Sequence, residues 1–333
     1  MRRRELLACG AGIAALAGLG GADRLAQAAA PRGGLLTATD VHVSDYPTVQ
    51  AMRWIGETLE RETGGRLRIR LYHSGQLGRE AEAIDMARYG AIDFARVYSG
   101  ALNNAFPLTQ ALCLPYVFDS VAHMRRAMDG EVGQAVLDGF AARDLVGLAI
   151  YDSGARCFYN ARQPIRTPAD LAGMKIRVPV SDIFIRMLRL FGANATPLSL
   201  GEVYSGMETH MIDGAENNIR SFHSSRHFEA ARYWSQSEHS YAPDVLLLSR
   251  RTWDALDPRD RELLRETARR SVGVMREAWD ASEASAREQV LAAGIEANEV
   301  DIQAFRRAAA PLLDEYRKDP RIDALHARIR TTA

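Results

Sequence analysis

From residue 35 onward the chain alternates short β-like runs with amphipathic helical stretches, and this change of period between 2 and about 3.6 restricts it to an α/β architecture with central sheets. Residues 35–41 read as a strand. Pro47 opens a helix through Leu59, Gly64 and Gly65 stop it, and residues 66–72 alternate polar with apolar side chains as a strand does. A second cycle follows, with a helix over 80–88, Gly90 as its terminator and a strand over 92–97. Further strands are expected at 145–151, 174–178 and 245–249, and a helix at 182–191. The pattern then changes. Pro258 starts one run to about Ala292 in which Leu263, Leu264, Val272, Met275 and Trp279 mark a single face. At 1.5 Å per residue this helix is about 50 Å long, enough to reach across two lobes.

A length of 333 residues suggests about two domains at ~150 residues each. No low-complexity linker and no internal repeat divides them, so the chain is expected to cross between two lobes more than once and leave a cleft between. The expected partition is 35–153 plus 243–282 for one lobe and 154–242 plus 283–333 for the other. Lys+Arg and Asp+Glu are both 42. That balance removes the basic field that nucleic-acid binding needs. The three cysteines include no CxxC pair, which argues against a zinc ribbon or a disulfide-dense scaffold.

The first residues, MRRRELLACGAGIAALAGLGGADRLAQAAA, carry three arginines, a weak run rich in Ala and Gly, and then small residues. They read as an export signal over 1–28 with a twin-arginine-like start at Arg3 and Arg4, cut after Ala26-Gln27-Ala28. The run is too short and too weakly apolar for an anchor of ~20 residues. Cys9 precedes the apolar run when a lipidation box would follow it. The expected location is therefore the periplasm. Cys113 and Cys157 remain, in apolar runs that suit buried free thiols better than a disulfide.

Familiar catalytic signatures, GxSxG, HExxH, GxGxxG and the P-loop, are absent from the sequence. His223 and His227 are four apart and would share a helix face as metal ligands, but beside Arg226 they read as surface histidines. Glu80 and Glu82, with Asp85 one turn on, suit either an acid/base pair or an exposed charged face. Asp213 and Glu216 lack the spacing of a calcium loop. No metal and no cofactor is expected.

The informative segment begins at Gly154: GARCFYNARQPIRTPADLAGMKIRVPVSD, followed by GEVYSGMETHMIDGAENNIRSF. GxR at 154–156, PIRTPADLAGMKIRVP at 164–179, EVY at 202–204 and IDGAEN at 212–217 resemble the substrate-binding proteins of the tripartite ATP-independent periplasmic (TRAP) transporters, the DctP-type family. The resemblance continues upstream in TGGRLRIRLYHSGQLGREAEAI and GAIDFARV and downstream in EHSYAPDVLLLS, covering 35 to about 310. It implies a two-lobed periplasmic solute-binding fold with a central sheet in each lobe, hinge crossings and a long C-terminal helix spanning both lobes. A monomer serving small and large permease subunits is implied with it.

An arginine ending a strand can offer two parallel N–H donors to a carboxylate, a geometry lysine cannot copy. Arg177 in IRVP sits at such a place, and spacing alone offers it a salt bridge to Asp170 or Asp182 instead. The resemblance assigns Arg177 to the ligand carboxylate and puts Arg156, Glu80 and Asn217 on the cleft wall. AENN, SFxxSRHFE and EHSYAPDVLLLS look most like the branch that binds uronic and related sugar acids, in which His42 and Tyr98 fall at pocket positions. Leu200 stands where many relatives carry an aromatic residue. The function this implies is capture of a uronic acid such as glucuronate or galacturonate by cleft closure, without catalysis. Alternatives left open are a C4-dicarboxylate or other hydroxy-acid binding protein, a binding subunit serving a sensor, and a periplasmic sugar-acid lyase or isomerase.

Overall fold

The computed structural model describes residues 34–332, so the expected export signal lies outside the described residues. Eleven strands follow in chain order among them: β1 (Leu35–Thr39), β2 (Arg68–Tyr72), β3 (Phe94–Tyr98), β4 (Leu145–Tyr151), β5 (Arg156–Asn160), β6 (Lys175–Val178), β7 (Asn194–Pro197), β8 (Gly214–Asn217), β9 (Tyr233–Ser240), β10 (Asp244–Ser249) and β11 (Glu296–Glu299). They form two mixed sheets, ordered β2-β1-β3-β10-β4 and β11-β9-β5-β8-β6-β7. The two-lobed α/β fold expected from the sequence is therefore present. β1 is parallel to both β2 and β3, whereas β10 runs antiparallel to β3 and β4. The start of β10 consequently lies at the same sheet edge as the carboxyl ends of β1 and β3, with Asp244 opposite Tyr98.

The chain passes between the sheets at residues 152–155 and 241–243 and again along the helix Pro258–Ala292. Asp257 caps that 35-residue helix through its side chain, and Pro258 sits at its first turn, where the missing N–H costs nothing. Leu264, Met275 and Trp279 bury with the core behind the first sheet, and Val290 buries with the core of the second. Leu263 and Val272 are partly covered, as an amphipathic stripe requires. Gly154, in the first crossing, has φ +64°, and a β-carbon there would stand 2.7 Å from Trp279. Only glycine meets both demands without strain.

One expected boundary needs correction. The helix Ile302–Tyr316 packs on Asp182–Leu190 of the second lobe, but the last helix, Pro320–Thr331, packs on Gln110–Cys113 and Glu131–Gly139 beside the first sheet. His123 fixes it there through a 2.9 Å hydrogen bond with the Ile329 carbonyl. Residues 283–333 are thus divided between the lobes. Cys113 and Cys157 are free and buried.

Candidate functional site

Binding sites of α/β sheets gather where strands end and loops diverge. The cleft between the two sheets is such a place. Its lining includes His42, Glu80, Tyr98, Arg156, Arg177 and Asn217, together with Leu200, Arg96 and Asp244. The structure thus brings together, from six different segments, the six residues that the resemblance places at the ligand: His42, Glu80, Tyr98, Arg156, Arg177 and Asn217.

The first wall comes from the sheet with β1 and β3. Glu80 is the first residue of the helix Glu80–Tyr89, and its Oε1 accepts from the Tyr98 backbone N–H at 2.9 Å and from Arg96 Nη1 at 3.1 Å. It is therefore turned inward, while Glu82 and Asp85 are exposed. Glu82 caps its own helix by accepting from the Arg79 N–H at 2.8 Å. His42 stacks flat on Tyr46, ring centroids 3.7 Å apart, and burial pulls its imidazole down to about 3, so it is neutral at physiological pH. Tyr98 ends β3, and its ring lies under the Arg156 guanidinium at 4.6 Å.

The second wall contains two arginines in unlike settings. Arg156 begins β5 beside Asn217, the last residue of β8. Its Nε and Nη2 donate to the Glu216 carboxylate at 2.5 and 2.8 Å, Nη1 donates to Asn217 Oδ1 at 3.0 Å, and Nη2 also reaches the Glu216 carbonyl at 2.9 Å. Burial pushes the Glu216 carboxyl up, but the Arg156 charge and hydrogen bonds from His239 and Arg156 outweigh it and hold the group below its ordinary range. Arg177 is different. Only 4% exposed, it donates from Nε to the Leu198 carbonyl at 2.8 Å and makes no ion pair among the described residues. Neither expected salt-bridge partner is used: Asp170 instead accepts from the Arg166 and Thr167 backbone N–H groups at 2.8 Å each. Burial lowers the proton affinity of the Arg177 guanidinium, yet an arginine stays charged there.

The two walls touch. Tyr46 shares a 2.8 Å hydrogen bond with Ser221, Asn103 donates to Ser181 at 2.8 Å, and Arg220 pairs with Asp45 at 2.9 Å. The structure describes a cleft shut around its polar lining.

Sequence reasoning missed Asp40, Arg96 and Asp244. Asp40 and Arg96 form a buried ion pair, with Glu80 and Asp244 next to the same guanidinium. A signal was available: FARVY places one arginine inside a short, fully buried strand, and such a charge needs partners. The histidine reading is corrected as well. His227 is buried and hydrogen-bonded to the Tyr159 hydroxyl at 2.8 Å, and it lies beyond the end of the helix Ile219–Ser224 that carries His223. The two do not share a helix face.

The description bacterial extracellular solute-binding protein, family 7 (DctP), matches residues 39–319. A solute-binding protein of Chromohalobacter salexigens is 36% identical over 288 residues, 86% of each chain. A TRAP periplasmic solute-binding protein of Xanthobacter autotrophicus Py2, solved with β-D-galacturonate, superimposes with a TM-score of 0.87 at 45% identity, over 89% of this chain and 99% of that one. The corresponding protein of Roseobacter denitrificans, solved with β-D-glucuronate, gives 0.88 at 36% identity over 90% and 100%.

Proposed function

The chain belongs to family 7 of the bacterial extracellular solute-binding proteins, the DctP-type TRAP binding proteins, and from that premise we propose that it captures a hexuronate in the periplasm and delivers it to a membrane permease. The observation that carries the ligand class is Arg177. A guanidinium buried in the cleft, with its two Nη groups offered to no carboxylate among the described residues, is a ready partner for one arriving from outside. The uronates bound by the relatives from Xanthobacter and Roseobacter support the same choice. Asn217, whose Oδ1 already accepts from Arg156 and the Asn218 N–H, keeps its Nδ2 to donate to a hydroxyl beside that carboxylate, and the acidic first wall opposite suits the remaining hydroxyls.

The mechanism is closure. In open water an ion pair contributes only about 0–1 kcal/mol. When the walls meet, water leaves, and charge-assisted hydrogen bonds rise to about 1.5–3 kcal/mol each. The ligand shifts the chain toward the closed form by its extra affinity for that form. Permease subunits that read the closed shape then receive loaded protein, and the chain itself acts as a binder, not an enzyme, and as a monomer. Nothing in this cycle needs a cofactor.

A thermal-shift screen of uronates, aldonates and C4-dicarboxylates tests the ligand class, since a tight ligand raises Tm through mass action. The expected result is a shift with galacturonate or glucuronate. Calorimetry on folded Arg177→Ala is expected to show a loss of about 3–5 kcal/mol, from somewhat over a hundred-fold to several thousand-fold in affinity, because the ligand carboxylate is buried unpaired. A loss below about five-fold overturns the role of Arg177.

A further inference from the structure

The wall facing Arg177 is built from carboxylates. Asp40 follows β1, Glu80 opens its helix and Asp244 opens β10, and all three converge on Arg96. They are not equivalent. Asp40 is committed, its Oδ1 accepting from Arg96 Nη2 and from the His42 N–H at 2.9 Å and its Oδ2 from the Thr48 hydroxyl at 2.7 Å. Glu80 is half committed through Oε1. Asp244 is 1% exposed and neither of its oxygens has a hydrogen-bond partner. The nearest cationic atom, Arg96 Nη1, stands 3.3 Å away without hydrogen-bond alignment.

A buried carboxylate without a donor is costly, and this one lines the cleft. A donor brought by the ligand offsets that cost. On the hexuronate reading, on which this inference rests, the ligand's own carboxylate is held at the opposite wall, and what remains to meet Asp244 is hydroxyl. We propose that Asp244 is the acceptor that reads ligand hydroxyls at the end away from the carboxylate, and that it is the residue by which the cleft selects polyhydroxy monocarboxylates over dicarboxylates. A second ligand carboxylate in that place meets Asp244 and Glu80 with only Arg96, already shared, to compensate.

The protonation of Asp244 agrees with this geometry. Burial pushes its carboxyl up to about 7, with Arg96 on β3 and Arg156 on β5 opposing and Glu80 and Asp40 adding to the rise. Tyr46, Tyr98 opposite Asp244 and the neutral His42 are the other titratable groups of this wall. Hydroxyl donors stabilise the ionised form and lower that value in the complex. Uronate affinity then rises with pH through the region near 7, and binding there releases protons.

The experiment is calorimetry of the mature chain and Asp244→Asn with D-galacturonate, D-glucuronate and malate, at several pH values and in buffers of different ionisation enthalpy. The expected result is a loss of about ten- to hundred-fold in uronate affinity for the variant, with malate unchanged or improved. Proton release near pH 7 is expected from the wild type and not from the variant. If the wild type binds a uronate and folded Asp244→Asn binds it within about three-fold, the inference fails while the uronate reading stands. Should the variant not fold, the wild type decides: uronate binding without proton release near pH 7 overturns the inference. A wild type that binds neither uronate overturns the reading and the inference together.

Discussion

Arg156 and Arg177 stand on strands that flank β8 on either side, both almost fully buried, and yet they have opposite relations to the rest of the chain. Arg156 is closed off by four hydrogen bonds to Glu216 and Asn217 and covered by the Tyr98 ring. Arg177 spends one N–H on a carbonyl and carries its charge without an ion pair among the described residues. Burial depth therefore says little about what a charged residue does; the count of partners says more. A compensated guanidinium stiffens the wall, whereas an uncompensated one holds binding free energy in reserve for a ligand.

That contrast can be broken experimentally. The largest expected effect on folding is from Glu216→Gln, which strands Arg156 and His239 and should cost about 3–5 kcal/mol in denaturant unfolding. Arg177→Ala should do the reverse, leaving the ligand-free unfolding free energy within about 1 kcal/mol of wild type while binding collapses. If both arginine sites move stability equally, the distinction is wrong. Arg177→Lys sharpens it further. The charge is kept but the planar fork is lost, and calorimetry is expected to show a loss of about ten-fold or more.

A pH series separates the sites by sign. Glu216 titrates below its ordinary range in the folded chain, so its contribution is complete above the unfolded-state value and is lost as pH falls through the lower folded one. Acid unfolding of Glu216→Gln should lack that component. The smallest effect is expected from Tyr98→Leu, which removes the ring over Arg156 at a cost of about 1 kcal/mol in thermal or denaturant unfolding.

Much of the scaffold was legible because period and punctuation agree in long elements. The strand Leu145–Tyr151 and the helix Pro258–Ala292 match their expected limits, the first a continuous apolar run and the second bounded by Asp257 and Pro258 at its start. Of the four-residue strands, β6 was expected at 174–178, but β7, β8 and β11 were not legible. GAEN in β8 has no β-branched residue and becomes a strand only because β5 and β6 bind it from both sides. The same limit applied to the site. Spacing alone sent Arg177 toward Asp170 or Asp182, and only the likeness to a family turned it toward the cleft. Asp244 escaped because nothing in its sequence neighbourhood reveals that β10 runs antiparallel to β3 and so returns to the cleft edge.

Gly154 extends the account from the pocket to the crossing beneath it. With φ +64° and Trp279 2.7 Å from where a β-carbon would be, even one added methyl acts as a wedge between the crossing and the long helix. Such a wedge also presses on Asn218 at the cleft lining, and it changes how often the jaws rest shut; apparent affinity scales with that fraction. Dial-like adjustment of uptake is thus available at a position that never meets the solute.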